Sequence, residues 1–176
     1  MTNKLLFFVL LALCFSGCDM LETHPYDVHI TGERELNNKN IQLIENKMQG
    51  KKTIRFAMIS DTQRWYNSTE DVVKALNARG DIDFVIHGGD QSDFGVTKEF
   101  IWMRDIFNKF QMPYVCLLGN HDCLGTGEDA YRAIYGDPNF AFTAGNVRFI
   151  CLNTNAMEYD YSEPVPVSYT HLKLPT

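Results

Sequence analysis

YVCLLGNHD, Tyr114–Asp122, is a short apolar run that stops at a glycine and three polar residues. An apolar run without polar breaks reads as a strand buried on both faces, as in parallel sheets. Asn120, His121 and Asp122 then stand side by side at the strand end, each able to bind metal or move a proton. The same pattern occurs twice upstream. TIRFAMIS (Thr53–Ser60) reads as a strand and is followed by Asp61 and Gln63; DFVIH (Asp83–His87) leads into Gly88, Gly89 and Asp90. The separations are 29 residues from 61 to 90 and 30 from 90 to 120, each one strand-helix-strand step.

The segments between these strands read as helices. Ser68 and Asp71 resemble a capping box ahead of Val72, Val73 and Leu76, and Gly80 marks an end. Thr97 is placed to cap a helix whose apolar face is Phe100, Met103, Phe107 and Phe110. Upstream, Ile41, Ile44 and Met48 predict a short helix from Asn40, stopped near Gly50. Downstream, a helix is expected around Asp129–Ile134, then a strand pair, FAFTAG and NVRFICLNT, turning at Gly145-Asn146. Alternating strands and helices imply βαβ units and a covered parallel sheet, with ligands gathering beyond the carboxyl ends of the strands.

Any one of these Asp or Asn residues can be explained as a helix cap or turn former. Their recurrence at three strand ends, with Gly88-Gly89 and Gly119 allowing close backbone approach, points instead to one site. Carboxylate, amide and imidazole groups together suit Mn, Fe or Zn. His87, just before the glycines, reads as a strand-end histidine satisfied by the backbone.

D-x-Q at Asp61–Gln63, GGD at Gly88–Asp90 and GNHD at Gly119–Asp122, with the later G-N-V-x-F run, resemble the calcineurin-like metallophosphoesterases over roughly Thr53–Thr154. The resemblance implies an α/β fold, the N-terminal part of an αββα sandwich made of βαβαβ units and a strand pair. It implies a phosphate ester substrate and two divalent metal ions. Asp61 and Gln63 would belong to the first ion, Asp90 would bridge both, and Asn120 would ligate the second. His121 and Asp122 would be the catalytic residues, His121 protonating the leaving alkoxide or holding the developing charge and Asp122 orienting His121 or bracing its loop. Apart from the resemblance, Arg64, Trp65 and Tyr66 read equally as lining the substrate cleft, with Arg64 on phosphate and the aromatics stacking on a ring, or as a partly exposed loop. The family usually has His where Gln63 stands, so Gln63 either ligates the first ion or only orients a water. Purple acid phosphatases carry a Tyr ligand where Asp93 stands, so a charge-transfer iron site is not expected.

The flanks read differently. MTNK, ten apolar residues (LLFFVLLALC) and Phe15-Ser16-Gly17-Cys18 resemble a bacterial lipoprotein signal over residues 1–17, with Cys18 lipidated. Residues 18–39 read as a tether that packs on the domain, and 40–165 as the phosphoesterase domain. Localisation is then the bacterial cell envelope. Net charge is −6 with no basic cluster, so no nucleic-acid partner is expected. Cys116, Cys123 and Cys151 form no C-x-x-C pair, against a thiolate zinc site. PVSYTHLKLPT (residues 166–176) resembles translated read-through of a sequencing adapter, so His171 is set aside as a ligand. The family's later G-H and G-H-x-H motifs do not occur, and the domain is expected to be incomplete. Two functions follow: metal-dependent hydrolysis of phosphate mono- or diesters, or a non-catalytic surface lipoprotein or inactive fragment that keeps the fold for binding.

Overall fold

The computed structural model describes residues 24–155. The signal segment, Cys18 and the stretch 166–176 lie outside the described residues. The chain runs α1 (Leu36–Met48), β1 (Phe56–Ile59), α2 (Tyr66–Arg79), β2 (Phe84–His87), α3 (Thr97–Phe107), β3 (Tyr114–Cys116), a 3-10 turn (His121–Cys123), α4 (Gly127–Tyr135), β4 (Phe140–Ala144) and β5 (Val147–Cys151). β1, β2 and β3 are parallel neighbours in that order, with Ile59 opposite His87 and His87 opposite Cys116. Their three carboxyl ends therefore share one edge. β4 and β5 form a separate antiparallel pair turning at Gly145, which takes φ 55°.

The period-two alternation of the strands sorts the core into two faces. Val85, Tyr114 and Cys116 meet Val73 of α2, Phe100, Met103 and Phe107 of α3, and Tyr131 and Ile134 of α4. Phe84, Ile86 and Val115 meet Ile44 and Met48 of α1 and Phe140 and Phe142 of the hairpin. Phe142 stacks on Phe149 at 4.8 Å between centroids, and Phe84 meets both rings edge-on. Each such side chain, fully buried, contributes about 1.5–3 kcal/mol. The layers are those of the N-terminal part of the expected sandwich.

The two sheet edges differ. On the β3 side, the buried Asn37 side chain of α1 accepts from Cys116 N and donates to Cys116 O, occupying the backbone groups a further strand would take. On the β1 side, Phe56 and Met58 stay exposed.

Several local expectations are corrected. α1 begins at Leu36, inside the stretch read as tether, and Leu36 and Asn37 are buried. The Ser68–Asp71 capping box does not form: α2 starts at Tyr66, so Ser68 lies inside the helix, and Asp71 pairs with Lys74. Thr97 is the first residue of α3 rather than its cap, and its hydroxyl donates to Asp27 O. The Glu99 carboxylate instead accepts the N–H groups of Asp93, Phe94 and Val96. Among the described residues no helix is long and apolar enough to cross a membrane.

Candidate active site

Three loops follow the three strands, and backbone hydrogen bonds lace them together. Gly88 N donates to Ile59 O, Asp61 N to Gly89 O, and Gln63 N to Asp90 O. Gly89 and Gly119 touch backbone to backbone. A Cβ on Gly89, which has φ 109°, would lie 2.6 Å from Gly119 N; one on Gly119 would lie 2.1 Å from an Asp90 carboxylate oxygen. Only glycine permits that approach, so the two glycines bring the second and third loops into register. Asp61, Arg64 and Asp90 all hold left-handed backbone, with φ of 56°, 63° and 62°. Such conformations in non-glycine residues cost about 1–3 kcal/mol each and cluster at functional sites.

The loops bring together Asp61, Gln63, Asp90 and His121, with Asn120 adjoining. Asp61 and Asn120 are exposed and Asp90 half-buried. One Asp90 oxygen accepts His121 N at 3.0 Å. Gln63 Oε1 is buried without a hydrogen-bond partner. A buried amide oxygen left unpaired is costly, and a cation would satisfy it. Asp61, Asp90, Gln63 and Asn120 offer oxygen donors only, which fits a hard or borderline divalent ion. Among the described residues, no three His, Cys, Asp or Glu side chains are grouped as a metal site.

The two residues after Asn120 face opposite ways. His121 is 40% exposed, and its Nδ1 lies 3.1 Å from Asp93 O and 3.8 Å from Asp93 Oδ1. A carbonyl only accepts, so Nδ1 carries the proton and Nε2 is left for a ligand. That hydrogen bond, supported by the Asp90 and Asp93 carboxylates, raises the His121 pKa. Asp122 is fully buried and makes no hydrogen bond to the His121 ring. Its carboxylate accepts the N–H groups of Asp90, Gln91, Ser92 and Gly119 at 2.8–3.0 Å. Of the two roles open in the sequence, the geometry supports bracing, and it corrects the assignment of Asp122 to the catalytic groups. Burial pushes its carboxyl up to about 6, against the pull of those amides.

His87 is buried in the same block. Its Nδ1 accepts Gly89 N, so the Nε2–H faces Thr62 Oγ1 at 2.9 Å. Desolvation pushes its pKa down to about 3, keeping it neutral. It is satisfied within the loops and does not join the site.

Asp93 is the residue the sequence reading missed. In the sequence it stands only where purple acid phosphatases carry a Tyr ligand. It is 5% exposed and sits between His121 and Arg64, whose Nε lies 3.1 Å from Asp93 Oδ2. The available signal was its spacing, three residues beyond Asp90 in the same loop. Arg64 keeps 70% of its side chain exposed, and its guanidinium points at this carboxylate while staying open to a ligand. Trp65 stands exposed beside a groove lined by Ile59, Ser60, Asp61, Ser68 and Val72. Cys116 and Cys151 are buried free thiols and Cys123 is half-buried, so among the described residues the cysteines form no disulfide.

The parallel α/β sheet thus carries carboxylate, amide and imidazole side chains on the loops at one edge. Residues 54–169 match the model of the calcineurin-like phosphoesterase family, and the chain belongs to that family. Among curated proteins, none matches the chain. Membership supports hydrolysis of phosphoesters with divalent metal as the chemistry of the family.

Proposed function

We propose that this protein is a lipid-anchored phosphoesterase of the bacterial cell envelope that hydrolyses phosphate mono- or diesters with two divalent ions. The buried, unpartnered Gln63 Oε1, on the loop hydrogen-bonded to Asp90, supports this reading most directly. Asp61 and Gln63 would hold the first ion, Asp90 both, and Asn120 the second. When bound, two such ions lower the pKa of a shared water and neutralise charge on the phosphoryl oxygens.

The chain's own residues do the rest. Asp93 O fixes the His121 tautomer, so Nε2 faces outward. In its protonated form His121 can give the Nε2–H to the departing alkoxide oxygen. Arg64 offers its exposed guanidinium N–H groups to a phosphate oxygen in the bidentate manner guanidinium allows. Asp122 keeps the second and third loops at fixed separation, so Asp90 and His121 hold their places.

Asp90→Asn tests the reading. Elemental analysis should show bound Mn, Fe or Zn falling well below the parent protein, with hydrolysis of nitrophenyl phosphate mono- and diesters lost in parallel. Parent protein that hydrolyses neither ester at any metal loading would overturn the assignment.

A further inference from the structure

The strongest unassigned feature is the way the N-terminal segment meets the site. Residues 24–34 run across the two loops that hold His121. Tyr26 O accepts the Thr126 hydroxyl, and the Tyr26 ring fills the space over Gly125, where a Cβ would lie 2.3 Å from it. Asp27 O accepts the Thr97 hydroxyl, and the buried Arg104 guanidinium donates to Thr31 O. The chain thus enters the domain a few residues from His121 and Asp93, on the catalytic edge.

That edge is apolar at its rim. Tyr26, Phe94 and Leu124 are exposed at 39%, 55% and 42%, and Trp65 at 67%. Their loops adjoin: Gly95 packs on Leu124 O, Gly125 on the Tyr26 ring, and Arg64, next to Trp65, reaches Asp93, next to Phe94. Exposed apolar clusters of this kind mark interaction surfaces, and Trp and Phe beside a cation suit the headgroup region of a bilayer. Only five residues lie between Cys18 and His24, six Cα steps in all. Fully extended they span at most about 20 Å. A lipid on Cys18 would keep the Tyr26–Leu124 corner within that distance of the membrane.

We infer that the rim of Tyr26, Trp65, Phe94 and Leu124 docks the catalytic edge on the bilayer surface, and that the substrate is a phosphoester carried in a lipid headgroup. The inference rests on the anchored phosphoesterase reading. The apolar rim and the tether, not charge, supply the attraction, because the protein is acidic.

The test uses the full chain with Cys18→Ser, so the rim acts without the acyl chains. Sedimentation with phosphatidylcholine vesicles should carry down the Cys18→Ser protein, and adding Phe94→Ser with Leu124→Ser should weaken partition at least tenfold with an unchanged melting curve. In the lipidated protein, twenty Gly/Ser residues inserted before His24 should slow hydrolysis of a vesicle-borne headgroup ester and leave a soluble nitrophenyl ester untouched. Equal partition of both proteins, partition that requires anionic lipid, or a rim variant that alters oligomeric state instead would overturn the docking. Equal turnover of the vesicle-borne ester with and without the insertion would overturn the substrate class. Soluble esters left unhydrolysed while partition persists would count against the phosphoesterase reading alone, since partition reads no chemistry.

Discussion

The inner and outer sides of the strand-edge loops use the same residue types to opposite ends. Inside, His87 is buried, neutral and bonded at both ring nitrogens, and Asp122 is buried on four backbone amides. Outside, His121 and Asp61 face solvent, and the His121 pKa is raised where that of His87 is lowered. Solvent access and hydrogen-bond partner, not residue type, separate the buried braces from the exposed groups. In GNHD the change of side occurs between two adjacent residues, because the chain enters a 3-10 turn at His121.

The comparison can be broken at its outer side first. His121→Ala should lower kcat by roughly 10²–10⁴, the usual contribution of a general acid. Metal content should hold, and stability should move by less than about 0.5 kcal/mol, as for other exposed positions. Kinetics, elemental analysis and a urea titration check the three together, and equal loss of metal would make His121 a ligand. On the inner side, Asp122→Asn should cost about 3 kcal/mol, because an amide cannot accept from all four N–H groups it would face. Urea unfolding measures that loss, and the matching Asp61→Asn should leave unfolding nearly unchanged while reducing bound metal.

Gly119→Ala should cost about 2 kcal/mol by forcing the Gly119 and Asp90 loops apart, within the range for overpacking. Calorimetry reads the cost, and a fall in metal content would show that the separation of the loops matters to the site. Smaller again is the pH effect of His87. Its folded pKa, about 3, lies below its unfolded value of 6.5. Its contribution is complete above pH 6.5 and declines as pH falls from there toward 3, with a slope of at most about 1.4 kcal/mol per pH unit. Asp122, raised to about 6, opposes this slope between about pH 4 and 6, so the His87 part is read as the difference in stability between the parent and His87→Gln across that range. Least affected is stability in Arg64→Gln, with a change within about 0.5 kcal/mol for so exposed an ion pair. KM for phosphate esters should rise if Arg64 binds the phosphate.

Much of this could be read in the chain because strands and their ends carry strong signals. Unbroken apolar runs located β1, β2 and β3, and glycine with polar residues located the loops. Tertiary context decided the rest. Ser68 and Thr97 have cap chemistry, yet α2 begins at Tyr66 and Asp27 claims the Thr97 hydroxyl. Leu36 and Asn37 lie in a polar stretch and enter the core because Asn37 closes the β3 edge. Asp93 and Asp122 could not be sorted by type, because the destination of a carboxylate depends on which amides the fold presents to it.

The left-handed backbone at Asp61, Arg64 and Asp90 limits the substitutions these positions tolerate. Only Gly, and to a lesser degree Asn and Asp, adopt that conformation readily. In a saturation library selected for folding alone, these three codons should return mostly Gly, Asn and Asp. Selection for bound metal should then narrow positions 61 and 90 back to Asp while leaving position 64 open. The loop geometry would act as a first filter on the sequence and the ion as a second.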